Sequence, residues 1–504
     1  MKSKSGRKGL ATALLVVMVS TAMLTLAIGA SGSALARAPI APTTPHGFYH
    51  TVVVRPTGSN DTTNLQTAFN RCTSQHWVCT IELVKGTYYT DQIATTGFHG
   101  SFVGAGQGRT TIEALSNLAS PAVTPYWAAP PSQSNPWPEL FTFVGGTIGV
   151  SGMTFSEPYA SPTQGWTLPT NPGVEGGNYT ALESLVMVTG ETASFNLGRV
   201  TMVGAAASVG GFMGDNLAIG VDIQGKILPS AWTNPYVDAL PLTGTFSLTN
   251  SVFENMNYGV QVTDIANAYG SVCFSSFSNV VASYFEGDIS HSQVLVCGNQ
   301  MMGSQAVAAI LADQSSIKSN LLPSTLYVLG NDLLGTGGAN ALAVIDNGPL
   351  ESPPLAATLT VVAARNAISL NTSCGCYPAN NPDYAAAVDF AAASLAFSAN
   401  TVNGVGLEPG VYVFGGPAHV NANRIYAASV GIWVDYANWV NVTWNSVKTS
   451  GQYGIAVTDG SSNVTVAQNF VKNSGVDDLY WDQTGTNDFW YGNTYTTSSP
   501  TTLP

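Results

Sequence analysis

The sequence predicts an all-β chain wound as a parallel β-helix, a solenoid with coils of 22–24 residues. Three observations predict it. First, V-N-V-T-W-N-S-V around Asn445 recurs as N-V-T-V-A-Q-N-F-V around Asn469, 24 residues later. Each Asn has apolar residues at minus three, minus five and plus two. Alternation on both sides of a polar pivot means two short strands and a bend. Second, the template recurs at Ser251, Ser275, Asn299, Asn331, Asn366, Asn400 and Asn423, with a degraded copy at Asn493. Most copies are 22–24 residues apart, and three, 32 to 35 apart, carry insertions. Third, such a repeat is too short for two packed helices and lacks a dense Leu frame. A fixed period of this size marks a solenoid, whose coils stack at the ~4.8 Å strand spacing. The pivots are expected at bends, where Asn tolerates the left-handed conformation, with amides bonding from coil to coil.

In chain order, residues 1–36 read as a signal peptide. Lys2, Lys4, Arg7 and Lys8 form a basic start, an apolar run begins at Leu10, and Ala34-Leu35-Ala36 is a small-x-small cleavage site. The long apolar run leaves an uncleaved anchor as the alternative; after cleavage no membrane span is expected. Removal lowers the net charge from −13 to −17. A chain this acidic, with 9% charged residues, is a poor partner for nucleic acid or anionic membranes. Residues 37–50 read as a linker, 51–497 as one β-helix domain and 498–504 as a C-terminal tail. From Asp61 to Cys72 the spacing of Leu65, Ala68, Phe69 and Cys72 predicts a short amphipathic helix, capped by Asp61 or Thr62, covering the solenoid's open N-terminal end.

Here D-T-T-N-L-Q-T-A-F (61–69), V-K-G-T-Y-Y (84–89) and G-A-G-Q-G-R-T-T-I (104–112) resemble the start of the right-handed parallel β-helix proteins of the pectin-lyase-like superfamily. I-G-V-S-G-M-T-F (148–155) is similar to the G-L-T-F coil of the same proteins. The resemblance implies the fold; that fold hosts lyases, hydrolases, epimerases and non-catalytic adhesins. Of the polygalacturonase motifs N-T-D, D-D, G-H-G and R-I-K, only D-D occurs, at Asp477-Asp478, and the alginate epimerase D-P-H-E is absent. No family catalytic residue carries over.

Six cysteines in a secreted chain point to disulfides. Cys72 and Cys79 close a short loop behind the helix. Cys273 and Cys297 share one offset from successive pivots, so coil stacking puts them within disulfide reach. Cys374 and Cys376 are too close for an easy mutual bond.

For chemistry, the second strand of many coils ends in Asp: Asp264, Asp288, Asp313, Asp346, Asp435, Asp459 and Asp482. Stacking would line these into a row. Two consecutive runs, Asp264/Asp288/Asp313 and Asp435/Asp459/Asp482, are the candidate acid–base groups, the first preferred because insertions follow Asp313 and Asp346. Carboxyls one coil apart, ~5 Å, repel, so one stays protonated, as glycosidic hydrolysis requires. The same row could instead hold Ca²⁺; equally, Asp is an ordinary turn residue. Trp127, Trp137, Trp166 and Trp232 on pattern-breaking loops, with Trp433 and Trp481, are candidate sugar-stacking residues, or else pack the loops onto the helix. Two functions stay open: a secreted enzyme acting on extracellular polysaccharide as a hydrolase or lyase, or a non-catalytic surface or adhesive β-helix.

Overall fold

The computed structural model describes residues 49–503, apart from 76–77, 116–138, 158–183, 205–218, 226–239, 304–307, 315–321, 337–339, 347–357, 371–385, 392 and 405–407. The signal segment, Trp127, Trp137, Trp166, Trp232, Cys374 and Cys376 lie outside the described residues. Residues His50–Pro504 form one compact unit.

From Gln293 onward the described residues of each coil form short strands, which pair in parallel with their equivalents in the next coil. Val440–Thr443, Ser446–Lys448 and Tyr453–Thr458 stack on Thr465–Ala467, Phe470–Lys472 and Asp477–Trp481. Alternation decides what is buried. In Val440–Thr443, Val440 and Val442 point into the solenoid and Asn441 and Thr443 lie outside. Stacking then puts like on like: Val420, Val442 and Val466 form one interior column, and Phe253 and Phe277 stack at 4.7 Å and 4°. Parallel strands otherwise need helical crossovers; here the next coil supplies the pairing, so the period alone builds the core.

The pivots behave as expected in one respect and differently in another. Asn299, Asn331, Asn366, Asn400, Asn423, Asn445 and Asn469 are all buried and form a continuous amide ladder. Asn445 is representative. Its Oδ1 accepts from the backbone N–H and side-chain Nδ2 of Asn423, at 2.9 and 3.0 Å. Its Nδ2 donates to Asn469 Oδ1 and to Val420 O, at 3.0 and 2.8 Å. The pivots themselves are not left-handed. The residue before each one is: Asn250, Phe274, Arg365, Ala399, Ala422, Trp444 and Gln468 have φ of 51–59°, and Gly298, Gly330 and Gly492 61–65°. Turning at the preceding residue aims the pivot side chain inward, where only an amide or hydroxyl satisfies the bent backbone.

The amphipathic helix α1, Thr62–Ser74, buries Leu65, Ala68, Phe69 and Cys72 as its spacing predicts. Phe69 packs edge-on against Phe98, Phe102, Phe141 and Phe143, with centroids 5.1–6.2 Å apart. Asp61 stands at the N-cap without a side-chain cap bond; its Oδ1 accepts instead from Thr57 N at 2.8 Å. The linker and tail also contribute pairing: Tyr49–Val54 is a strand, and Ser498–Ser499 pairs with Leu479–Tyr480.

Cys72–Cys79 and Cys273–Cys297 are bonded, with Cα separations of 5.7 and 4.6 Å. The second joins residues directly opposite in adjacent coils. Non-reducing peptide mapping is expected to recover a linked peptide carrying Cys273 and Cys297; recovery of both thiols free would remove the bond. Among the described residues no helix is long and apolar enough to cross a membrane.

Candidate functional site

The aspartates do not form one straight row. Asp435 is the last outward residue of its strand and lies opposite Thr458; Asp482 follows Trp481, which pairs with Val457, and so continues that column. Asp459 sits one residue further on, at a left-handed turn with φ of 52°. The first run splits in the same way. Asp264 and Asp288, at φ of 52° and 53°, are bracketed by the pairs Thr263–Gly287 and Ile265–Ile289 and therefore stack. Asp313, however, pairs with Gly287 and Ile345, one residue short of Asp288's position. The expected alignment of Asp313 under Asp288 is therefore corrected. An offset from the pivot that drifts by one residue moves a side chain from strand to turn.

Two of these carboxylates are engaged by the scaffold's own backbone. Asp482 Oδ1 accepts from Thr484 N and Oγ1, at 2.9 and 2.7 Å, and its Oδ2 accepts from Asp459 N at 2.7 Å. Asp346, buried, accepts from the N–H groups of Thr358 and Leu359 at 2.6 and 2.8 Å. Trp481 is corrected too: it pairs with Val457 on the inward row and packs against the core, so it does not face a ligand.

Asp435 is different. It is 8% exposed, on the outer face of its sheet. Its Oδ2 accepts from the Tyr412 hydroxyl at 2.9 Å and its Oδ1 from the Thr458 hydroxyl at 2.8 Å. Thr458 is in turn held by Trp433 Nε1 at 2.8 Å. Asp459 follows Thr458, the residue opposite Asp435, so its carboxyl neighbours Asp435 and acts on it. Burial raises the Asp435 carboxyl above its ordinary range; the Thr458 hydroxyl opposes this, the Asp459 carboxyl adds to it, and the Tyr412 hydroxyl opposes it. The second run, with its aromatic neighbours, is therefore the better built, against the sequence preference for the first.

Aromatic rings pave the face around this pair. Tyr412 packs edge-on to Trp433 at 5.2 Å and stacks with Phe414 at 6.2 Å. Phe414 stacks with the exposed Tyr436 at 5.9 Å, and Tyr453 with Tyr480 at 4.3 Å. Register places Asp389, Tyr412, Trp433, Ala456 and Tyr480 in one outward column over five coils.

Two carboxyls on this outer face escaped the sequence reading. Burial pushes Asp389 up to about 7. It also pushes Asp222 up to about 7, with a Gln261 hydrogen bond opposing and Asp264 adding. Each lies mid-strand in an alternating run, V-D-F-A and V-D-I, where outward polarity is ordinary. Among the described residues, no three His, Cys, Asp or Glu side chains are grouped to hold a metal ion, so the Ca²⁺ expectation has no ligand set there.

The right-handed β-helix region family matches residues 360–471. The chain is a right-handed parallel β-helix. That is the fold its opening motifs imply. Among solved structures, the N-terminal fragment of bacteriophage Phi29 gene product 12 is 13% identical with a TM-score of 0.50, over 86% of this chain and 69% of that one. The A-module of Azotobacter vinelandii mannuronan C-5 epimerase AlgE6 is 14% identical, TM-score 0.41, over 88% and 96%. The periplasmic alginate epimerase AlgG is 10% identical, TM-score 0.35, over 82% and 77%. At these identities the likeness concerns the fold alone. No curated protein matches the chain in sequence.

Proposed function

We propose that this β-helix is a secreted polysaccharide hydrolase whose acid–base pair is Asp435 and Asp459. The observation that carries the reading is the buried Asp435 carboxyl, with Asp459 as its neighbour on a face paved with aromatic rings. Two carboxyls in contact share a proton, so one can donate while the other is ionised. Tyr412 and Thr458 fix the orientation of Asp435, and Trp433 fixes Thr458. The two disulfides and the basic-apolar start support a site of action outside the cytoplasm.

Adjacent carboxyls suit the retaining arrangement, in which one is the nucleophile, better than the inverting one, which must admit a water between carboxyls ~6.5–9.5 Å apart. In the corresponding mechanism, Asp435 gives its proton to the departing glycosidic oxygen as an Asp459 oxygen attacks the anomeric carbon. A glycosyl ester results. Asp435 then takes a proton from water, whose oxygen attacks the anomeric carbon, breaks its bond to the Asp459 oxygen and releases that carboxylate.

The second reading, a non-catalytic glycan-binding surface protein, is favoured by Asp482 and Asp346, both engaged by backbone N–H groups of the scaffold. Screening the full chain on a panel of polysaccharides separates the two. The hydrolase reading expects Asp435→Asn and Asp459→Asn to lower kcat at least ~100-fold with binding retained, and the first product to keep its anomeric configuration. Full activity in both variants overturns the assignment. Binding without cleavage by the wild-type chain leaves the second reading.

A further inference from the structure

Tyr436 and Trp439 stand where their neighbours argue for something else. Both lie in the turn between Val430–Asp435 and Val440–Thr443. Both have left-handed backbones, φ of 48° and 63°, and both are exposed, 68% and 66%. In the next coils Tyr436's place is taken by Asp459 and Gln483, and Trp439's by Asn463 and Asn487, all left-handed. Asn and Asp enter that region readily; a bulky aromatic does so at a cost. Neither ring regains the cost by burial. Phe274 and Trp444 are exposed and left-handed too; Tyr436 and Trp439 differ in lying in the turn that leaves the Asp435 strand, beside the candidate pair. Tyr436 continues the ring array that starts at Trp433 and runs through Tyr412 and Phe414, so it borders the Asp435–Asp459 pair.

Charge identifies what these rings would hold. Asp389, Asp435, Asp459 and Asp482 all lie on or beside this face. The cations of the neighbouring coils are elsewhere: Arg424, Lys448 and Lys472 belong to the sheet of Arg424–Tyr426, Ser446–Lys448 and Phe470–Lys472. Lys448 and Lys472 there flank the Phe470 ring, at 5.5 and 4.8 Å. His419 lies beside Asn441 on the third sheet. Among the described residues, no cation is among the groups that act on Asp435. A polyuronate brought to this face would meet carboxylates that no described cation offsets, whereas the apolar face of a neutral sugar ring needs only an aromatic partner.

We infer that Tyr436 and Trp439 are stacking subsites for an uncharged glycan that runs out from the Asp435–Asp459 pair. The inference rests on the glycan-directed reading of that pair. The test is calorimetric titration of the full-length chain, its Tyr436→Asn and its Trp439→Asn variants with soluble neutral polysaccharides (a β-glucan, a xylan and a mannan) and with polygalacturonate. The expected result is binding of a neutral chain, weakened at least tenfold in each variant, with a melting temperature equal to or above wild type. A merely structural role would lower the melting temperature and leave affinity alone, which overturns the inference. Preference for polygalacturonate also overturns it, and if Asp435→Asn abolishes cleavage of that polymer the hydrolase reading survives on its own. Loss of neutral-glycan binding in the Tyr436 and Trp439 variants of a chain that cleaves nothing supports the subsites and removes the hydrolase. Binding of none of the four polymers removes both.

Discussion

Asn423→Leu is expected to destabilise the β-helix by about 4 kcal/mol, one of the largest single effects in the chain. Asn423 is 1% exposed and sits mid-ladder. Its Oδ1 accepts from Asn400 N and Nδ2, at 2.9 and 3.1 Å, and its Nδ2 donates to Phe397 O and Asn445 Oδ1, both at 3.0 Å. Leucine has nearly the same shape and none of these groups. It leaves the Asn400 backbone N–H, the Asn400 amide and the Phe397 carbonyl short of partners, and each such buried loss costs about 1–3 kcal/mol. Asn423→Ser should be milder, and the chain shows why. At Ser251 and Ser275 a hydroxyl or amide still meets the backbone: Ser251 N donates to Ser275 Oγ at 3.2 Å, and Ser275 N to Asn299 Oδ1 at 2.9 Å. Because each coil is stabilised chiefly by its neighbours, the break should also divide unfolding into two blocks. Thermal melts of the two variants check this; a Leu variant within about 1 kcal/mol of wild type would show that the ladder is ornamental.

That ladder marks where the sequence was legible. Its period was readable because a polar residue interrupts apolar alternation at a fixed spacing, and period alone dictates stacking. Its conformation was not, because an inward-facing Asn and a turn-forming Asn look alike in a sequence; the left-handed residue is the neighbour, often one as unlikely as Phe274 or Trp444. The aspartates tell the same story. Their gathering near one edge of a sheet followed from the repeat, but Asp435 and Asp459 differ by one residue in register, and that step decides which is buried and which lies in a turn. Trp481 fell on the inward row for the same reason. Glu286 was missed although a signal was present: it occupies the inward position that Val262 holds one coil earlier and Ala312 one coil later.

Glu286 leads to the second large effect, a loss of stability as pH rises. It is enclosed in the solenoid, and its Oε2 accepts from the Tyr284 hydroxyl at 2.5 Å. Burial raises Glu286 to about 7, with the Tyr284 hydrogen bond opposing. Burial likewise raises Asp222 and Asp389 to about 7. In the unfolded chain all three would titrate in the ordinary range near 4. Between about pH 4 and pH 7 the folded state therefore binds more protons than the unfolded state, so stability falls as pH rises. The contribution is complete below the unfolded values and gone above the folded ones. Each pH unit in that window costs about 1.4 kcal/mol per group, several kcal/mol for the three together. Relief of the acidic net charge at low pH acts in the same direction. Melting temperatures measured from pH 4.5 to 8 are expected to be highest at the acid end. Glu286→Gln keeps an acceptor for Tyr284 but nothing to ionise. It should match wild type at pH 4.5 and exceed it by about 3 kcal/mol at pH 8. A wild-type curve that is flat or rises over that interval, with Glu286→Gln parallel to it, would mean these carboxyls ionise inside the fold without penalty.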